Sequence, residues 1–224
     1  MAGKYFSTAT FGFLKDLKKN NDRAWFAENK SRYEDVLKDP ALRLIEDFGP
    51  ELAKISTHFL ATPRSLFRIY RDVRFSKDKS PYKTATGIHF RHEQSKDAHA
   101  PGFYLHIQPG EVFAGVGIWR PQADALRMIR ERIAEDPKGW KRASAAKAFT
   151  DTFELAGDRL KRPPKGFDPD HPAIEELKRK DYIGVTQLRQ SFVTSKTLPK
   201  DLAKTFKAGT PLMRFLCEAL GVPF

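Results

Sequence analysis

The chain holds one cysteine in 224 residues, Cys217, so no internal disulfide can form and the fold must rest on its core. No stretch approaches the roughly 20 apolar residues that a spanning helix requires, and the first residues, MAGKYFSTATF, lack the apolar run of a secretory signal. A cytoplasmic protein with no membrane partner is therefore expected. A glycine-rich phosphate loop, a nucleophile-elbow serine, paired carboxylates and a His-Glu-x-x-His helix are all missing, which removes the usual support for nucleotide-binding, hydrolase and metalloprotease chemistry. The six histidines, His58, His89, His92, His99, His106 and His171, come without a cysteine pair or any other ligand spacing, so no metal and no cofactor is expected. Helix-turn-helix, zinc-finger and RNA-binding aromatic signatures are absent too. No Gly/Ser/Pro-rich linker or internal repeat divides the sequence, and 1–224 reads as a single domain.

What is present is enough apolar material for a sizeable core, 40% of residues with 12% aromatic, in two kinds of periodicity. Phe11, Leu14 and Leu17 share a helical face. Asp22 can cap a second helix carrying Phe26, Tyr33 and Leu37, and a third runs through Leu42, Ile45, Phe48, Leu52 and Ile55, with Pro40 near its start and Gly49-Pro50 expected to bend or interrupt it. From Ser65 the pattern alternates: Phe67 and Ile69, then Ile88 and Phe90, then Phe103, Leu105 and Ile107, then Val112, Ala114, Val116 and Ile118. Gln108-Pro109-Gly110-Glu111 is a tight-turn sequence that makes the last two strands a hairpin. Gly115 and Gly117 leave a bare face where a helix or ligand can approach the backbone. Helical spacing returns at Leu126, Ile129 and Ile133 and from about Gly139 to Phe153. A loop spans Arg159–Asp170, a short helix opens at Pro172, Tyr182–Leu188 adds a strand, and helices at Pro199–Phe206 and Pro211–Leu220 close the chain. Cys217 falls on the last apolar stripe as a core residue. The fold class is α+β: an antiparallel meander of four or more strands flanked by N-terminal and C-terminal helices.

Charge is concentrated in one place. Between Arg64 and Arg91 eight Lys/Arg face two acids, so one eighth of the chain carries +6 of its net +12. Within this stretch the connection Arg71–Thr84, RDVRFSKDKSPYKT, presents Arg71, Arg74, Lys77, Lys79 and Lys83 around a Ser80-Pro81 turn. Ser80 and Tyr82 can orient a ligand, while Asp72 and Asp78 hold the cations apart. Phosphate or carboxylate recognition wants this mixture, because arginine grips two oxygens in a plane and lysine supplies a mobile charge. A solvated hairpin with local ion pairs would carry the same composition. His89 and His106 lie on the opposite phase to the apolar residues of their strands and are candidates for proton transfer. Arg23 and Trp25 are candidates for a wall of the same site, although an N-cap followed by core aromatics also accounts for them.

Asn21-Asp22-Arg23 with Trp25-Phe26 and Tyr33, the run Tyr70 to Lys83, Gly102-Phe103-Tyr104 and Gly117-Ile118-Trp119 together resemble domain-of-unknown-function family 2461 of bacteria and fungi. The resemblance spans nearly the whole chain and implies a one-domain, mostly cytoplasmic protein; it brings no catalytic residues to carry over. Two functional expectations follow from the residues. One is a small-ligand protein, in some versions an enzyme, that binds a phosphorylated or carboxylated compound at the 71–84 loop. The alternative is a nucleic-acid-associated module whose cations meet a phosphate backbone. A concave pocket with convergent cations favours the first. A continuous basic stripe joining the loop to residues 159–180 favours the second.

Overall fold

The computed structural model describes residues 5–94 and 100–224; His99 lies outside them. Helix α1 (Thr8–Lys19) starts where the Ser7 hydroxyl accepts from the Ala9 amide at 3.2 Å, and α2 (Arg23–Glu28) where Asp22 accepts from the Trp25 amide at 2.9 Å. The expected division between the second and third helices does not occur. Instead α3 (Lys30–Tyr33), a π-helical turn at Glu34–Lys38 and α4 (Asp39–Ala53) form one continuous helical run. Pro40 has no amide to give to Val36 four residues earlier, and the buried Thr10 hydroxyl of α1 fills that gap, donating to the Val36 carbonyl at 2.7 Å. Pro50 also sits inside α4 without ending it.

The sheet has six antiparallel strands, β1 (Phe59–Leu60), β2 (Thr86–His92), β3 (Gly102–Gln108), β4 (Glu111–Ile118), β5 (Glu154–Ala156) and β6 (Tyr182–Leu188), in the order β1-β2-β3-β4-β6-β5. The meander β2-β3-β4 and the hairpin at Gln108–Glu111 follow the sequence pattern, with Gly110 taking the positive φ of +85° that the turn demands. The strand expected at Phe67–Ile69 is not one. Leu66 and Tyr70 make single bridges to Ile88 and Tyr82, and between them the chain leaves β2 to bond with the 81–83 segment, where Ile69 accepts from the Lys83 amide at 2.7 Å and Pro81 accepts from the Arg71 amide at 2.8 Å. Pro81 has no N–H to return, so no ladder can extend there. The first strand of the sheet is Phe59–Leu60, which pairs with Arg91 and His92.

After the meander come α5 (Ala123–Glu135), α6 (Pro137–Ser144), α7 (Lys147–Thr150), α8 (Ile174–Leu177), α9 (Gln190–Val193), α10 (Leu198–Ala208) and α11 (Thr210–Ala219). The single helix expected over 139–153 is broken at Ala145–Ala146, which turns Phe149 and Phe153 onto Gly184 of β6. Among the described residues, helices cover one sheet face only. There Ile88, Phe90, Phe103, Leu105, Val112, Ala114 and Val116 meet Phe48 of α4 and Phe206 of α10, with the Phe103 and Phe206 rings 5.0 Å apart. Burying each such ring contributes roughly 1.5–3 kcal/mol before the entropy of ordering it is subtracted. A second cluster, Phe13, Leu14, Leu17, Phe26, Leu37, Ile69 and Tyr82, joins α1 and α2 to the irregular 66–82 segment. No helix among the described residues is long and apolar enough to cross a membrane.

Gly115 and Gly117 are not the matched pair that the sequence suggests. A methyl group on Gly115 would touch nothing closer than 3.8 Å, whereas one on Gly117 would lie 2.1 Å from the Tyr182 carbonyl of the adjacent β6, and Gly117 has φ +116°. The neighbouring strand's backbone, and neither a helix nor a ligand, is what requires glycine at 117.

Candidate functional site

The strand register puts Gly87, His89, Tyr104, His106 and Phe113 on the sheet face opposite the helices. Their alternation with the buried apolar residues of the same strands dictates this, since successive side chains point to opposite sides. Phe67 lies over this face, bonded through its amide to the Gly87 carbonyl at 2.9 Å, with its ring 5.9 Å from Tyr104. Where the irregular segment arches away, it leaves a cavity of about 370 Å³ lined by Phe67, Arg71, residues 82–87, Tyr104 and His106.

Each wall has an identifiable cause. Asn21, in the turn before α2, clamps the backbone of Tyr82 with both ends of its amide: its nitrogen donates to the Tyr82 carbonyl at 2.9 Å and its oxygen accepts from the Tyr82 amide at 3.0 Å. Phe26 stacks on the Tyr82 ring at 4.1 Å. Lys83, fixed in phase by Tyr82, donates to the Arg68 carbonyl at 2.8 Å and passes over the Phe67 ring at 5.4 Å. Burial, with the Arg68 cation adding to it, lowers the Lys83 pKa. Arg71 is ion-paired to Asp78 and donates to the Ser80 hydroxyl at 2.6 Å.

The floor belongs to Tyr104 and His106. The Tyr104 hydroxyl lies 3.1 Å from His106 Nδ1, and the imidazole stacks on Phe113 with centroids 4.6 Å apart and planes 12° from parallel. His106 Nε2 is buried without a hydrogen-bond partner, a state that costs about 1–3 kcal/mol in a folded protein. Burial pushes the His106 pKa down, offset in part by Gln108 and Glu111, and burial pushes the Tyr104 hydroxyl up to about 12. Gly87 is needed beneath this pair, because a methyl group there would lie 2.5 Å from the Tyr104 hydroxyl oxygen.

The candidates read from sequence thus separate. Arg71, Lys83, Tyr82 and His106 line the cavity, whereas Arg74, Lys77, Lys79, Ser80 and His89 are not among its lining residues. Arg74 makes a two-point contact with Asp72 at 2.9 and 2.7 Å, and Lys79 donates to the Val73 carbonyl at 2.9 Å. Ser80 is held by Asp78 and Arg71. His89 is buried between the rings of Phe67 and Tyr104. Arg23 is exposed at the start of α2, with its charge acting on the Tyr82 hydroxyl against the effect of burial, and Trp25 packs toward Phe13 at 5.9 Å; Asn21 and Phe26 make the direct contacts of the early cluster with Tyr82. Phe75, at the far end of the segment, is 95% exposed with the Arg74 guanidinium over its ring. A larger hollow of about 590 Å³ runs along α4 between Asp39, Arg43, Glu46, Ala61 and Pro63, away from the basic segment.

The second basic region stands elsewhere. Thr86, where the cavity opens, is at the end of the sheet that holds Ile107, Val112 and Leu188, while Arg179 and Lys180 lead into Tyr182 at the other end, beside Ile118. Six residues of strand and three strand spacings separate the two, about 20 Å along the sheet and about 14 Å across it. Among the described residues no group of three or more His, Cys, Asp or Glu that could hold a metal ion is brought together.

No curated protein matches the chain. The family model described as a conserved hypothetical protein (DUF2461) matches residues 9–215, and the chain belongs to that family.

Proposed function

We propose that this member of the DUF2461 family binds a small anionic ligand, a phosphorylated or carboxylated compound, in the cavity between its basic segment and the uncovered sheet face. The observation that carries the reading is the convergence of Arg71 and Lys83 with Thr84 and His106 on one cavity of about 370 Å³, a size and a mixture of apolar wall and few polar groups typical of small-molecule sites. Phe67 and Tyr82 supply apolar surface for the body of the ligand, and His106 is the imidazole available on the wall for proton transfer. The separation of the two basic regions along and across the sheet speaks against a phosphate backbone running over both, since such binding draws on a continuous positive surface.

The test is a thermal-shift panel of phosphorylated metabolites, nucleotides, carboxylates and short oligonucleotides at low and moderate salt. A specific small anion should stabilise the protein, by about 2.7 kcal/mol at a hundredfold excess over Kd, and the shift should survive moderate salt. It should be lost in Arg71→Ala and Lys83→Met proteins that keep their circular dichroism. A shift produced only by oligonucleotides and abolished as salt rises would transfer the reading to backbone binding, and unfolding of both variants would make the segment structural.

A further inference from the structure

Lys83 stands apart from the other cations of the basic segment. Asp72 and Asp78, the acids of that segment, are engaged by Arg74 and Arg71, while the charge acting on Lys83 is the like charge of Arg68. The side chain is partly buried and crosses the Phe67 ring, with Nζ 5.4 Å from the centroid. Nζ donates to the Arg68 carbonyl at 2.8 Å in a solvent-exposed position. Lys83 thus has an apolar bed, a cation beside it and no carboxylate partner among the described residues. Desolvation and a neighbouring cation are the circumstances that turn a lysine from a point charge into a nucleophilic amine, and both lower the Lys83 pKa. Arg71 lines the same cavity. It meets Asp78 and Ser80 through Nη1 alone, so neither contact uses Nε and Nη2 on the other edge of its fork. We infer that Lys83 forms an imine with the carbonyl carbon of an anionic aldehyde or ketone whose carboxylate or phosphate is gripped by Arg71. The inference rests on the anion-binding reading above and adds the reacting atom and the second functional group of the ligand.

The step needs nothing beyond its two reactants and solvent. The Nζ lone pair bonds to the carbonyl carbon while the π electrons of C=O move to oxygen. A proton passes from nitrogen to that oxygen and gives a carbinolamine. The hydroxyl takes a proton from solvent and leaves as water, and the nitrogen lone pair closes the C=N bond of a protonated imine. One water is released, nothing is oxidised or reduced, and hydrolysis runs the same steps backwards. The charged and titratable groups around Lys83 are Arg68 on the irregular segment and, on the cavity wall, Arg71, Tyr82, Tyr104 and His106. None is a carboxylate, so none of them holds the amine in its charged form.

Glyoxylate and glycolaldehyde phosphate are the probes, one carrying a carboxylate and the other a phosphate, and propanal is the uncharged comparison. Each is given to the full chain at less than one equivalent with cyanoborohydride, which reduces an imine to a stable amine. Peptide mass spectrometry then reads how the label divides among the lysines. Lys83 should take label from an anionic probe about tenfold faster than the exposed Lys77, and the preferred probe tells carboxylate from phosphate. The neutral amine is the nucleophile, so labelling should rise about tenfold per pH unit and level off at a lower pH than for an unperturbed lysine. In Arg71→Gln the advantage of the anionic probes over propanal should vanish while propanal labels Lys83 as before. Lys83 labelled no faster than Lys77, in a protein that malonate or inorganic phosphate still stabilises in an Arg71-dependent way, would sink this inference and leave the cavity reading standing. Selective labelling of Lys83 by propanal and the anionic aldehydes alike would overturn the assignment to Arg71. Absence of both selective labelling and stabilisation by any of these anions would remove both readings together. Labelling of the wild-type chain decides the matter even where Arg71→Gln fails to fold.

Discussion

Replacing Gly117 by alanine tests how the meander is tied to β6. The added methyl carbon would stand 2.1 Å from the Tyr182 carbonyl oxygen and 3.1 Å from the Tyr182 carbonyl carbon and Ile183 Cα. All three are backbone atoms of the paired strand, so no side chain can swing away, and β4 and β6 must part locally. The φ of +116° adds a separate cost, because an L-residue with a Cβ rarely occupies that region. Strain of this kind costs about 1–3 kcal/mol, and forcing extra volume into a packed site costs about 1–3 kcal/mol. The combined loss is about 2–6 kcal/mol, a large share of the 5–15 kcal/mol that typically separates folded from unfolded. Gly115→Ala is the control on the same strand and face. With its nearest neighbours at 3.8 Å and no positive φ, it should be neutral or stabilising by about 0.4–1 kcal/mol through the unfolded chain. Urea denaturation followed by circular dichroism reads both, the midpoint falling for Gly117→Ala with an unchanged slope. If Gly117→Ala stays within about 1 kcal/mol of the parent, or if Gly115→Ala costs as much, the close approach of the strands is not what selects glycine at 117.

Thr10→Val keeps the shape of the side chain but strands the Val36 carbonyl that Pro40 cannot serve; a loss of about 1–3 kcal/mol in denaturant midpoint is expected, and an unchanged midpoint would mean that water or a shifted turn takes over. Cys217 is fully buried, and burial pushes its thiol up to about 12. It should therefore resist a thiol reagent at pH 8 until the protein unfolds, and rapid native labelling would contradict its place in the core. The Arg74 guanidinium holds the Asp72 carboxyl down at about 2. Because the folded pKa lies below the unfolded one, the pair persists through mild acid and is lost only as pH falls toward 2. Carboxyl NMR should place the Asp72 midpoint there, and a value near 4 would show the pair to be broken in solution. In Asn21→Ala the Tyr82 backbone loses both its partners, so anion binding should weaken along with stability, while Arg23→Ala, exposed on α2, should change neither.

Much of the architecture was legible because hydrophobic period is a local property. The alternation at 103–107 and 112–118 and the turn at Gln108–Glu111 specify a hairpin whose inward residues are the ones found buried. The apolar stripes of α1, α10 and α11 were equally plain, as was the burial of Cys217. The concentration of cations between Arg64 and Arg91 marked the neighbourhood of the cavity, and the phase of His106 marked the face on which it lies. Local pattern failed where the partner is distant. Phe67 and Ile69 alternate like a strand, yet only Phe67 keeps a bond to β2, at Gly87, and the bonds to Pro81 and Lys83 draw the chain off the sheet beyond it. Pro40 does stand in the first turn of α4, but the helical run continues back through it into the π turn, where a hydroxyl from α1 bonds the Val36 carbonyl.

The sequence by itself determined which residues would be inside, the antiparallel α+β class, and where positive charge would gather, since these depend on the order of side chains along the chain and on the two periods of regular backbone. Only the tertiary structure decided which cations share a cavity. Asp72 and Asp78 lie two and seven residues from the arginines they engage, Arg74 and Arg71, but Arg71, Lys83 and His106 meet because Asn21, far earlier in the chain, fixes Tyr82 against the sheet edge. Convergence of that kind is a property of packing between distant segments. No count of charges along the chain contains it.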